Sequence, residues 1–106
     1  MLINEIAKMC NLTKKAVEYY TEQKLICSHI LENGYRDFST RDVEVLKQVA
    51  LYRRLGLSIS EIKIIFDNPE QLKSILYKKT LELEQEKAKQ DILQKLCNGK
   101  KKKKLE

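Results

Sequence analysis

The chain has 106 residues, 34% charged and 42% hydrophobic, a composition that suits one small folded domain plus an appended helix and excludes a disordered polyelectrolyte. The net charge is +6, yet Lys100–Lys104 and Glu106 supply +4 of it, so residues 1–99 carry only +2. No apolar run approaches the ~18 residues of a membrane span and no secretory leader pattern opens the chain, so a cytoplasmic protein is expected.

Ile3, Ile6, Ala7 and Cys10 fall at i, i+3, i+4 and i+7, one face of a short helix that Asn4 is expected to cap. Residues 10–13, CNLT, break it, and Thr13 is a good cap for a second helix over about Lys14 to Gln23. Val17 and Tyr20 share its buried side; Lys14, Lys15 and Glu18 lie elsewhere. Two short helices with so brief a connection form a helix-turn-helix pattern.

The period then changes. Ile26, Ser28 and Ile30 alternate with other residues, and Asn33-Gly34 is a strong hairpin signal. Tyr35-Arg36-Asp37-Phe38 reads as the return strand, with Phe38 directed at the core. Ser39 to Asp42 is a capping-box variant opening a third helix, and Val43, Leu46, Val49 and Ala50 give that helix a core face. Gly56 is placed to end it. Ser58 to Glu61 is a second capping box, followed by Ile59, Ile62, Ile65 and Phe66 on a fourth helix.

Asn68 and Pro69 mark the next helix start. From there to about Cys97 there is no Gly or Pro, and a helix of that length spans ~40 Å. Leu72, Ile75, Leu76, Leu83, Ile92, Leu93 and Leu96 supply an apolar stripe, interrupted at Lys79, Glu86 and Gln90. A helix this long needs a partner for its stripe, and pairing with a second copy is the simplest source. The expected organisation is a domain over 1–67, a dimerisation helix over 68–97 and a basic, disordered tail over 98–106, with Leu105-Glu106 read as a cloning scar.

Cys10, Cys27 and Cys97 are odd in number and widely spaced, and there is one His. No familiar zinc pattern results, so no metal and no cofactor are expected. With no paired-acid motif, Gly-rich phosphate loop or nucleophile elbow, enzymatic activity is not expected either.

Taken together, residues 5–26 (EIAKMCNLTKKAVEYYTEQKLI) and 33–66 (NGYRDFSTRDVEVLKQVALYRRLGLSISEIKIIF) resemble the MerR family of bacterial transcriptional regulators. Its most specific marks are Tyr19-Tyr20, Asn33-Gly34-Tyr35-Arg36 and Arg54-Leu55-Gly56-Leu57-Ser58. The resemblance implies a mainly α fold: a winged helix-turn-helix with a small two-stranded wing, then a long C-terminal helix pairing as an antiparallel coiled coil. It implies a homodimer on double-stranded DNA at a pseudo-palindromic promoter site, distorting the promoter spacer so that RNA polymerase engages both elements. Metal-sensing members place several cysteines near the end of the long helix; Cys97 stands alone, which argues against that role here.

On this reading the amino end of the second helix enters the major groove, bringing Thr13, Lys14 and Lys15 to phosphates or base edges. Tyr19 offers its hydroxyl to phosphate, while Tyr20 is partly core. Tyr35 and Arg36 form the wing contact, and Lys24 and Arg41 are further phosphate candidates; Arg53 and Arg54 are weaker ones. Glu18 departs from the family pattern, which commonly has Arg there. Its carboxylate repels phosphate unless Lys14 or Lys15 neutralises it. Two other readings stand beside this one: a coiled-coil protein adaptor, and an effector-free, excisionase-like architectural DNA-binding factor.

Overall fold

The computed structural model describes the backbone of residues 1–105 and the side chains of residues 1–98. The chain divides into two compact units, Met1–Pro69 and Glu70–Glu106. The first contains α1 (Ile3–Met9), α2 (Lys14–Glu22), β1 (His29–Ile30), β2 (Arg36–Asp37), α3 (Thr40–Arg54) and α4 (Ile59–Asp67). A 3-10 turn over Pro69–Gln71 leads into α5 (Leu72–Leu105). This is a mainly helical, winged helix-turn-helix architecture with one antiparallel hairpin. No described helix is long and apolar enough to cross a membrane.

Side-chain caps begin three of the helices. The Thr13 hydroxyl accepts from the Ala16 N–H at 3.1 Å and starts α2. Ser39 and Asp42 form a reciprocal box at the start of α3, at 3.2 and 2.8 Å, and Ser58 and Glu61 do the same for α4 at 3.1 and 3.0 Å. Each such cap satisfies backbone donors that the first turn leaves open. The expected Asn4 cap is not formed: Leu2 occupies the cap position of α1 with no side-chain bond, and Asn4 lies inside the first turn. Ile3 and Ile6 fix the register, because Ile6 must reach the core, and that places the helix start two residues earlier.

Three helices end in one way. After α1, α2 and α3 the chain enters the left-handed region at Asn11 (φ 55°), Lys24 (φ 63°) and Gly56 (φ 89°). In each case the next residue donates back to the carbonyl five residues earlier: Leu12 to Ala7 at 2.9 Å, Leu25 to Tyr20 at 3.1 Å and Leu57 to Tyr52 at 3.0 Å. This is the Schellman arrangement, and it disposes of orphan carbonyls. Of the three stops, Gly56 is the one the sequence announces.

The core of the first unit is built from Ile6, Val17, Ile26, Phe38, Leu46, Val49, Leu57, Ile62 and Ile65, all buried. α1 packs on α2, and α3 on α4. Phe38, only 2% exposed, anchors the base of the hairpin in this core as expected.

Within the second unit, Leu72, Ile75 and Leu76 are half-buried, while Leu83, Ile92, Leu93 and Leu96 are exposed. Lys79 pairs with Glu82 at 2.9 Å, one turn along the helix. The tail expected over 98–106 falls, from residue 99 onward, outside the described side chains.

Candidate nucleic-acid interface

The wing hairpin is short and tightly closed. His29 faces Asp37 and Ile30 faces Arg36. The Leu31 N–H donates to the Tyr35 carbonyl at 2.7 Å, and the Gly34 N–H to the Leu31 carbonyl at 2.9 Å. Gly34 takes φ 86°. Asn33 does not join it in the left-handed region; its side chain accepts from the Tyr35 N–H at 3.1 Å. The loop is therefore three residues long with one glycine in the strained position, as in a bulged hairpin.

The hairpin base is also held from outside. The Phe38 N–H donates to the Met1 carbonyl at 2.7 Å, and the Met1 ammonium donates to the Phe38 carbonyl at 2.7 Å and to Asp37 Oδ1 at 2.5 Å. Across the ladder, Arg36 Nη1 donates to Ser28 Oγ at 2.9 Å. Tyr35, with Ile30 and Leu31 nearby in the hairpin, is exposed.

The wing and the helix-turn-helix enclose an open cleft of about 470 Å³. Leu2 at the cap of α1 and Asn4 in its first turn, Lys14 and Glu18 of α2, and Tyr35 and Arg36 of the wing all line it. Lys14 and Glu18 stand one helical turn apart on the same face. The pairing with Lys14 or Lys15 that spacing leaves open to Glu18 is not formed: neither lysine lies within ion-pair distance among the described residues, and Glu18 makes no hydrogen bond there. Lys15 is exposed but does not line the cleft. It sits about 100° around the helix from Lys14.

The two tyrosines part company. Tyr19 is 45% exposed and Tyr20 only 8%, with ring centroids 5.6 Å apart. Thr13 spends its hydroxyl on the helix cap.

The structure does not bring Lys24 and Arg41 to the same cleft as Lys14 and Arg36. Arg41 lines a second hollow with Leu25, Cys27 and Phe66. Lys24 lines an adjoining one with Leu25, Phe66 and Lys63. Lys63 donates to Gln23 Oε1 at 3.3 Å. Sequence reasoning missed Lys63 because an isolated lysine on an exposed helix face carries no local signal. It also missed Ser28 as the holder of Arg36, since only the hairpin register brings the two together. Arg53 serves the helix end, donating to the Leu57 carbonyl at 3.0 Å.

No group of three or more metal-ligating side chains converges among the described residues. Cys10 is buried, with Sγ 3.6 Å from the Val43 carbonyl, and burial pushes its thiol above the ordinary value, opposed by the nearby Lys47.

Comparison with known proteins bears directly on this geometry. The family model described as MerR HTH family regulatory protein matches residues 1–69, the whole of the capped helices and wing. The chain belongs to the MerR family. It is 31% identical over 93 residues to the HTH-type transcriptional regulator CueR of Yersinia pestis, a match covering 80% of this chain and 67% of that protein. Other curated regulators are matched over 30% to 64% of their length. The structure of MtaN, the N-terminus of the Bacillus subtilis multidrug transporter activator, superposes with a TM-score of 0.81 at 23% identity, covering 92% of this chain and 94% of that one. HiNmlR, a MerR family regulator lacking the sensor domain and bound to promoter DNA, gives 0.63 at 16% identity over 84% of this chain and 74% of that one. The curated relatives are transcriptional regulators rather than enzymes, in line with the absence of catalytic motifs here.

Proposed function

We propose that this MerR-family chain acts as a homodimer on a pseudo-palindromic promoter site, with α2 in the major groove and the wing over the adjacent minor groove. The observation that carries this is the cleft between α2 and the wing, where Lys14 and Arg36 face the same space. In that docking the sugar-phosphate strand between the two grooves runs through the cleft. Lys14 and Arg36 then neutralise phosphate, and Tyr35 packs along the sugars. Lys15, outside the cleft, is the lysine left to reach a base edge. Tyr19 offers its hydroxyl to phosphate, and buried Tyr20 supports it from below. Thr13 contributes through the helix amino end. Lys24 and Arg41, on the other flank, reach phosphates farther along the duplex.

The exposed apolar positions Leu83, Ile92, Leu93 and Leu96 support dimerisation through α5. A stripe of this kind is costly in water and is covered when two copies pair. An antiparallel pair sets two reading heads at a fixed separation, and the family resemblance supports spacer distortion and engagement of RNA polymerase. A protein-binding adaptor is the second reading, favoured by the exposed Ile30, Leu31 and Tyr35 at the wing.

Selection of bound duplexes from a random pool, with sedimentation of the free protein, tests the proposal. Recovery of a two-fold-related motif by a dimer supports it. A monomer at micromolar concentration, or retention of every sequence without enrichment, contradicts it. Steep loss of binding with rising salt separates DNA contact from protein docking.

A further inference from the structure

Resting on the DNA-binding reading above, we infer that Glu18 is an affinity-limiting residue of the DNA site: its carboxylate repels the sugar-phosphate strand held by Lys14 and Arg36. The cleft brings one anion and two cations to the same space. Neither Glu18 nor Lys14 has an ion-pair or hydrogen-bond partner among the described residues, and Arg36 is committed to neutral Ser28. The Glu18 carboxylate is therefore tied up in no ion pair among the described residues. A phosphate drawn to Lys14 and Arg36 comes alongside it.

The position also decides between two roles open to a carboxylate on a groove helix. Accepting from a cytosine amino group requires a side chain aimed at base edges. Glu18 instead lines the space between helix and wing, where backbone and not base is met. Its effect is thus the same on every duplex. It lowers the affinity scale without changing the ranking of sites, and it acts once in each reading head. A single head then holds DNA weakly, and stable occupancy demands two.

The test compares the 106-residue wild-type chain with E18Q and E18K on a selected duplex and on a random-sequence duplex of equal length, across a salt series. E18Q is expected to tighten both by the same factor, about three- to tenfold, the size of one like-charge contact near a wet surface. E18K is expected to tighten both further and to steepen the salt dependence by about one ion per engaged head. Equal thermal melting of the three proteins is expected, because Glu18 is exposed and has no partner among the described residues. Unchanged binding by E18Q overturns the inference. So does a loss confined to the selected duplex, which marks a base-reading carboxylate, and so does tightening on one duplex alone. Absence of binding by all three proteins at low salt overturns the DNA-binding reading itself, and this inference with it.

Discussion

Arg36 Nη1 lies 2.9 Å from Ser28 Oγ, so the wing guanidinium is held across the hairpin by a neutral hydroxyl. A neutral partner orients the group without cancelling its charge. The remaining donors stay available to a phosphate, and less side-chain entropy is lost on docking. Arg36→Ala is expected to weaken binding to most duplexes by a similar factor, about 1 kcal/mol or more. Ser28→Ala removes the orienting contact and keeps the charge, so a smaller loss of about 0.5 kcal/mol is expected. Titration of both variants against selected and random duplexes checks the order. A larger loss for Ser28→Ala would mean that the hydroxyl itself meets DNA.

Leu83, Ile92, Leu93 and Leu96 of α5 are exposed in the single chain. Replacing Leu93 by Glu places a charge on that stripe. In a dimer seam, sedimentation is expected to shift toward monomer, with dimer affinity falling by about 2 kcal/mol or more per buried leucine. Binding to a half-site duplex is expected to survive, since the first unit carries its own core. Unaltered sedimentation would place the seam elsewhere on the helix.

Lys24 holds φ 63° at the end of α2, a conformation costly for a residue with a Cβ. Lys24→Gly relieves that strain but adds freedom to the unfolded chain. A net gain of about 0.5 kcal/mol is expected in urea unfolding at unchanged m-value. The same substitution removes a cation, so DNA binding is expected to weaken slightly while stability rises. Opposite signs in the two measurements are the signature to look for.

Cys10 is buried, whereas Cys27 and Cys97 are exposed. At neutral pH a thiol reagent is expected to modify two cysteines quickly and the third only when the chain opens. Burial holds the Cys10 thiol pKa above its ordinary value, against a smaller lowering by Lys47. Its neutral burial therefore stabilises the fold fully below about pH 9 and loses that contribution as pH climbs through the higher folded value. Mass spectrometry of peptides after timed labelling checks the first expectation, and urea melts at pH 8 and 10 the second.

Much of this fold was legible because its signals are local. The Thr13, Ser39 and Ser58 caps use side chains within three residues of their partners, and Asn33-Gly34 marks its own turn. Asn4 misled because its capping propensity competed with the burial of Ile6, and burial won. The left-handed stops at Asn11 and Lys24 escaped notice because Asn is a weaker signal for that region than Gly and Lys gives none. At the interface, helical phase correctly separated Tyr19 from Tyr20. It could not divide Lys14 from Lys15, since that needs the location of the wing relative to α2. Nor could charge pairing of Glu18 be settled from spacing, as i,i+4 neighbours in exposed positions are free to stay apart.

The main chain of Met1 exchanges hydrogen bonds with Phe38 at both its carbonyl and its ammonium, each 2.7 Å long. A residue preceding α1 is thereby stitched to the root of the hairpin, and α1 packs on α2. Hinge motion of the hairpin alone would have to tear those stitches. The easier displacement tilts hairpin and both leading helices as a single lever, so that in the proposed docking a push on the wing from a minor groove would be felt as torque at the neighbouring major one.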